Sequence, residues 1–167
     1  MHRDRTPTPA DVFREGAALS APAAPGPMWS VKGRIGRLRY FVRTGLSAFA
    51  YLLAVLLVGM LLGSDLDDPS TRDGLILAAL ALPALAFVAV QSVQRARDLG
   101  WPAWVGACVV TPCFGSILAV VLLFAPGSAI RNQHGPPPTA NGRALVIAGW
   151  IIGALLLALL VADTLEG

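Results

Sequence analysis

The sequence predicts an all-α integral membrane protein, a polytopic membrane helical bundle of four transmembrane helices with an N-terminal interfacial basic arm. Hydrophobic residues make up 55% of the 167 residues and charged residues only 14%, whereas a soluble domain is usually about a quarter charged. Four apolar stretches of membrane-spanning length follow one another, and eight of the 13 Lys and Arg residues precede residue 44. With so few charges, lipid must replace water around much of the surface.

Residues 1–28 are expected to form a disordered cytosolic tail. They hold five prolines among alanine, arginine and acidic residues, a composition that buries too little apolar surface to fold. They contain no apolar run that could act as the core of a secretory signal, so we expect no cleaved signal before the first span.

Residues 29–163 are expected to form one membrane domain. Its four apolar stretches contain no Asp, Glu, Lys, Arg or His, and each is 19 to 24 residues long. About 20 helical residues cross the hydrocarbon core of a bilayer, and a soluble helix rarely stays uncharged on every face for that length. The predicted spans are residues 44–63, 75–93, 101–124 and 144–162.

The basic residues predict the orientation, because Lys and Arg collect on the cytosolic side. With four full spans and both termini cytosolic, ten of these residues lie inside and three outside. An alternative exists in which the third stretch, which contains Pro112 and Gly115, dips into the membrane and returns. The counts then become twelve inside and one outside. We favour the full span because the stretch is unbroken and proline is tolerated within membrane helices.

The basic arm is the segment of residues 29–43. Apolar residues recur there at helical spacing, as in a helix that lies in the interface with its cations at lipid headgroups, although Gly33 and Gly36 favour a short elbow. The cations are expected to set the topology and to attract anionic headgroups. They are Lys32, Arg34, Arg37, Arg39 and Arg43.

A short connection between the second and third stretches carries Arg95 and Asp98 on one helical face. Asp98 is expected to pair with Arg34 or Arg37 of the arm, and Arg95 is a local alternative partner. We call this expected pairing the cytosolic clasp. Trp29, Trp101 and Trp104 are expected to anchor the bundle at headgroup level, as indoles commonly do at the ends of spans.

The sequence offers no catalytic, cofactor-binding or metal site. It contains only His2 and His134 as histidines, and it has none of the usual metal, phosphate or nucleophile motifs. We therefore expect no enzyme, no cofactor and no nucleic-acid partner. The favoured function is a non-catalytic scaffold, assembly or envelope-associated protein. The alternative is a transport component, either an oligomeric channel or a small permease. Membrane lipids, an unknown membrane protein or a homo-oligomer are the expected partners.

Three segments resemble, in order, motifs of the YhaH-like bacterial inner-membrane family, which is defined by domain of unknown function 805. Gly33–Phe41 is similar to the family's approach to its first span, Arg95–Trp104 to its turn motif, and Pro126–Pro138 to its closing motif. Arg97 stands where the family usually has histidine. The resemblance covers about residues 29–138, so the fourth span looks like an addition. The resemblance implies a bacterial inner-membrane location and no activity. The basic residues add the expectation that both termini are cytosolic.

Overall fold

The computed structural model describes residues 8–20, 27–63 and 70–166. Within these ranges the chain is helical, and its only strand-like pairing is an isolated bridge between Asn132 and Gly135. The predicted all-α class is confirmed. The six α-helices are α1 (Pro9–Ser20), α2 (Arg37–Leu62), α3 (Thr71–Asp98), α4 (Ala103–Ala107), α5 (Phe114–Phe124) and α6 (Arg143–Glu166).

Three helices are long and apolar enough to cross a membrane, namely α2, α3 and α6 through Ala162. A fourth apolar helix, α5, is shorter than a full span. α2 and α3 extend beyond the predicted apolar stretches into charged residues at the same end of the bundle. By length and composition, these three helices are what a multi-pass membrane protein requires.

The third apolar stretch is a helical hairpin. α4 continues into a 3-10 turn at Cys108–Val110, the chain reverses at residues 111–113, and α5 follows. α4 begins beside the end of α3, where the Trp101 amide donates to the Ala96 carbonyl at 2.9 Å. α5 ends beside the same turn, because Arg95 donates to the Leu122 carbonyl at 2.8 Å. Both ends of the hairpin thus lie at one end of α3, as in the re-entrant alternative.

The hairpin tip satisfies much of its own backbone. The Thr111 hydroxyl donates to the Cys108 carbonyl at 2.7 Å, and the Gly115 amide donates to the Thr111 carbonyl at 2.9 Å. Pro112 has no amide hydrogen and disfavours helix continuation, and Cys113 has a φ of 61°. Gly115 allows the two helical segments of the hairpin to contact each other, since a Cβ there would lie 2.1 Å from the Val109 carbonyl oxygen. These local features explain why the continuous apolar stretch does not form one helix.

α6 packs parallel to α2. A Cβ on Gly149 would lie 2.7 Å from Leu38 Cδ1, and one on Gly45 would lie 2.7 Å from Ile152 Cγ2. Residue numbers therefore increase in the same direction along both helices. Since α2 and α6 begin at the same end of the bundle, the segment before α2 and the end of α6 lie at opposite ends. This arrangement differs from the expectation that both termini lie on one side.

Part of the tail predicted to be disordered is helical. Thr8 and Asp11 cap α1, since the Thr8 amide donates to the Asp11 carboxylate at 3.0 Å and the Asp11 amide donates to the Thr8 hydroxyl at 3.3 Å. Pro9 occupies the first helical position, which it favours. The prolines dominate the composition, but the run after Pro9 is alanine-rich and free of proline until residue 22. The remaining tail residues, 1–7 and 21–26, lie outside the described ranges.

Close packing of α4 on α3 depends on Gly106. A Cβ at this position would lie 2.4 Å from the Ser92 carbonyl oxygen and 2.6 Å from the Val93 Cα. We predict that Gly106→Ala lowers the free energy of unfolding by about 1–3 kcal/mol through overpacking. Gly153→Ala in α6 is the matched control, because a Cβ there meets nothing within 4 Å and alanine favours the helix. Unfolding in mixed detergent micelles measures both variants, and equal effects would refute the close α3–α4 contact.

Candidate functional site

Three charged side chains form a buried cluster at the basic end of the bundle. Arg34 is 3% exposed, Arg95 is 0% exposed and Asp98 is 2% exposed. Arg34 donates from Nε and Nη2 to Asp98 Oδ1, at 3.1 and 3.0 Å. Arg95, one turn before Asp98 on α3, donates from Nη1 to Asp98 Oδ2. The carboxylate is thus shared between two guanidinium groups, and we call these three residues the arginine–aspartate cluster.

Both guanidinium groups of the cluster also donate to backbone carbonyls. Arg34 donates to Ile130 at 3.0 Å, to Gly135 at 2.8 Å and also to Ser128. Arg95 donates to Leu122 at 2.8 Å and also to Ala125. Every one of these carbonyls belongs to the end of α5 or to the loop that follows it. The cluster therefore joins the basic arm, the end of α3 and the return of the hairpin.

This arrangement makes burial of the three charges physically reasonable. Buried charges require both a partner and hydrogen bonds, and the carbonyl dipoles offset the positive charge that remains after Asp98 is paired. Asp98 lies in the last turn of α3, where a carboxylate opposes the helix dipole. The two arginines oppose that effect. Removal of Asp98 would leave two buried cations without a counter-charge, and breaking a buried ion pair generally costs about 3–5 kcal/mol.

The loop after α5 closes over the cluster. The Ser128 amide donates to the Asp98 carbonyl at 2.9 Å. Asn132 Nδ2 donates to the Arg97 carbonyl at 2.8 Å, and Gln133 Nε2 donates to the Gly100 carbonyl at 2.9 Å. His134 Nε2 lies 2.9 Å from the Trp101 carbonyl oxygen. The segments that carry the second and third sequence motifs are therefore in direct contact.

The first motif joins them through the arm, which is not the interfacial helix that its apolar spacing suggested. Helix α2 begins only at Arg37, and the described residues before it are irregular. Gly33 has a φ of 87°, a conformation that favours glycine, so the arm is a short elbow. The elbow directs Arg34 and Ile35 into the interior. Ile35 packs in a small core with Leu122 of α5.

The five arm cations have different environments. Arg34 is buried, so it does not face headgroups as expected. Arg39 donates to the carbonyl and the hydroxyl of Thr139 at 2.9 and 3.0 Å. Arg43 donates to Gln91 Oε1 at 3.0 Å. Lys32 and Arg37 are exposed. Arg37, the other partner proposed for Asp98, lies beside the cluster without an ion pair to it among the described residues.

The three tryptophans also differ. Trp29 is 65% exposed and meets Phe87 edge-on, with ring centroids 4.9 Å apart. Trp104 is 68% exposed. Trp101 instead packs against the small core beside Ile35. Trp29 and Trp104 thus retain the exposure that an interfacial anchor requires, whereas Trp101 contributes mainly to the interior.

Several polar contacts that α3 makes with α2 and with the residues just before the arm had no clear signal in the sequence. Tyr40 and Ser92 share a hydrogen bond of 3.1 Å between buried hydroxyls. Gln94 Nε2 donates to the Pro27 carbonyl at 3.0 Å, and Gln91 donates to the Met28 carbonyl. For Gln91, the sequence signal is that a single glutamine lies within an apolar stretch and therefore needs a hydrogen-bond partner. Within the described ranges, no cluster of three or more His, Cys, Asp or Glu residues could hold a metal.

A family model described as "Protein of unknown function (DUF805)" matches residues 28–136. The match includes all three residues of the arginine–aspartate cluster and most of the loop that closes over them. It ends before α6. No curated protein and no solved structure matches the chain.

Proposed function

The chain belongs to the DUF805 family of proteins of unknown function, and from that premise we propose a non-catalytic role in assembly within the bacterial inner membrane. In this role the protein associates with another membrane protein or with a second copy of itself. The basic end of the bundle faces the cytosol. An envelope-associated scaffold is the function class that its geometry supports best.

This proposal depends on one observation: the charged side chains of the arginine–aspartate cluster bind one another and backbone carbonyls. A general acid or base must reach the proton that it transfers. Asp98 and Arg95 instead face each other, Arg34 and backbone carbonyls, and they are at most 2% exposed. Their geometry supports a structural role, in which they hold the hairpin against α3.

Charge supports the proposed orientation. When the arm, both ends of the hairpin and the loop before α6 lie together, twelve Lys and Arg residues are on that side and Arg72 is on the other. Cytosolic segments carry such an excess. We therefore place the segment before α2 in the cytosol and the end of α6 outside it.

The hairpin tip supports association. α5 has 11 residues and rises about 16 Å at 1.5 Å per residue, which is about half the thickness of the hydrocarbon core. Residues 111–113 at the tip are irregular and exposed. Irregular backbone at membrane depth is tolerated where protein covers it or where it lines a water-filled cavity. The assembly proposal corresponds to the first condition, in which a protein partner covers the tip.

The second condition keeps a transport component as the alternative function. In an oligomer whose hairpin tips surround a common axis, the same exposed backbone would line an aqueous path. Cys113 lies in the tip and is exposed, whereas Cys108 is half-buried. The thiol of Cys113 can therefore distinguish a covered tip from a hydrated one, because thiols react with maleimides as hydrated thiolates.

We predict that Cys113 resists a membrane-impermeant maleimide in intact membranes and reacts after detergent disperses the complex. The Cys108→Ala variant leaves Cys113 as the only thiol, and Cys113→Ala in the same background gives the blank. Labelling is followed by the mass increase of the protein. Rapid labelling in intact membranes would support the transport alternative and count against a covered tip.

A photo-crosslinking residue at Phe114 separates coverage by protein from coverage by lipid. Phe114 is 58% exposed beside the tip, so the proposal expects a defined crosslinked protein or a crosslinked dimer. Leu157 on α6 is a comparably exposed control position. If Phe114 gave only lipid adducts, as a lipid-facing position does, the assembly proposal would be wrong.

A further inference from the structure

Arg37 is an exposed cation in the first turn of α2, and within the described ranges its side chain has no hydrogen bond or ion pair. It differs in this respect from Arg34, Arg39 and Arg43, which bind other parts of the chain. Arg37 therefore keeps its hydrogen-bond donors for a ligand or for water.

A polar cleft of about 630 Å³ opens beside Arg37. Its walls are the start of α2, the loop at Gly127–Ala129 and the segment Pro137–Asn141. Asp98 and Arg95 contribute to its floor, but the Asp98 carboxylate is already bound by two arginines. Gly36 precedes α2 and offers no capping side chain to the first amides of the helix. The positive balance and these amides favour an anion.

An apolar groove of about 430 Å³ adjoins the cleft. It runs between α2 and the end of α5 and is lined by Leu38, Phe41, Leu123 and Phe124, with Arg37 at its edge. Arg37 and Leu38 line both spaces. A cation thus stands where a polar cleft meets an apolar groove, and both volumes are within the range of small-ligand sites.

We propose that this junction binds one anionic phospholipid. The phosphate lies at Arg37 and the first amides of α2, the rest of the headgroup occupies the polar cleft, and one acyl chain follows the apolar groove. The juxtaposition of the two spaces favours an amphiphile over free phosphate, which would leave the groove unused. The inference goes beyond the proposed assembly function, because lipid binding requires neither a protein partner nor a covered hairpin tip.

A second apolar groove is a weaker candidate. It has a volume of about 470 Å³ between α2 and α3, and Arg43 lies at its edge. The Arg43 guanidinium already donates to Gln91 at 3.0 Å and to Gln94 at 3.4 Å. An anion there would have to replace these bonds, whereas at Arg37 it would replace only water.

Native mass spectrometry of the full chain in detergent tests the proposal by titration with phosphatidylglycerol or phosphatidylcholine of identical acyl chains. We expect one phosphatidylglycerol to bind with about tenfold preference. Both lipids carry a phosphate, but the quaternary ammonium of phosphatidylcholine cancels its charge beside Arg37, and one charge-assisted contact is worth about a factor of ten. Arg37→Gln should remove most of this preference. Lys32→Gln removes another exposed cation of the arm and should change the affinity by less than about twofold.

Two further measurements distinguish lipid binding from a loss of folding and from binding of free phosphate. Arg37→Lys should retain part of the preference, and an unchanged unfolding transition in Arg37→Gln shows that the fold is intact. Inorganic phosphate and glycerol phosphate should not compete at concentrations where phosphatidylglycerol saturates the site. Equal losses in Arg37→Gln and Lys32→Gln, competition by inorganic phosphate, or equal binding of both lipids would each overturn the proposal. Because lipid binding is measured on the isolated chain, a failed crosslinking experiment at Phe114 leaves it unaffected.

Discussion

A reporter fused after residue 167 is expected to lie on the opposite side of the membrane from a reporter fused before residue 1. The reason is the odd number of crossings in the proposed topology, in which α2, α3 and α6 each cross once and the α4–α5 hairpin returns to its own side. Alkaline phosphatase, which matures outside the cytosol, should be active after residue 167, and green fluorescent protein should be dark there. The effect is all-or-none, so it is the largest that the arrangement predicts.

A fusion after Asn141 provides the matched control, because only α6 separates it from residue 167. It should report the cytosolic side, as should the fusion before residue 1. Four full spans would exchange the signals at the two later positions, with phosphatase activity after Asn141 and fluorescence after residue 167. That exchange would exclude the re-entrant hairpin and restore both termini to the cytosol.

Asp98→Asn is expected to lower the free energy of unfolding by about 3–5 kcal/mol. The asparagine preserves the size of the side chain and one acceptor oxygen, but it leaves Arg34 and Arg95 buried as two unpaired cations. A loss of this size is a large part of a typical folding stability. We therefore also expect less folded protein in membranes, measured by the monodisperse yield after extraction.

The matched control for this variant is Arg37→Gln, which changes a charge at the same end of the bundle but at an exposed position. Surface substitutions usually change stability by about 0.5 kcal/mol or less. Unfolding of both variants in mixed detergent micelles gives the comparison. Similar small changes would show that the cluster contributes little to stability.

The helical membrane architecture could be predicted because hydropathy and length alone determine which segments can cross a bilayer. The hairpin could not be predicted as firmly. Pro112 is compatible with both a kinked span and a reversal, and the reversal depends on the Thr111 and Gly115 bonds and on the Arg95 contact with Leu122. These contacts involve backbone atoms, whose partners leave no residue-type pattern in the sequence.

For a similar reason, only part of the candidate site could be predicted from the sequence. Asp98 is the only acid between Glu15 and Asp163 outside the cluster of residues 65–73, so its need for a cation could be inferred from charge alone. The choice of Arg34 over Arg37 could not, because it depends on the positive φ of Gly33 and the elbow that follows. The carbonyl partners of both arginines likewise follow from the folded path of the loop.

A double-mutant cycle between Asp98→Asn and Arg34→Gln tests most directly whether the arginine–aspartate cluster holds the arm against α3. The contact predicts a coupling free energy of about 1–3 kcal/mol in unfolding, as found for directly interacting groups. The parallel cycle of Asp98→Asn with Arg37→Gln should be additive within about 0.5 kcal/mol. Additivity in the Arg34 cycle, or equal coupling in both cycles, would contradict the specific pairing on which the arrangement of the basic end depends.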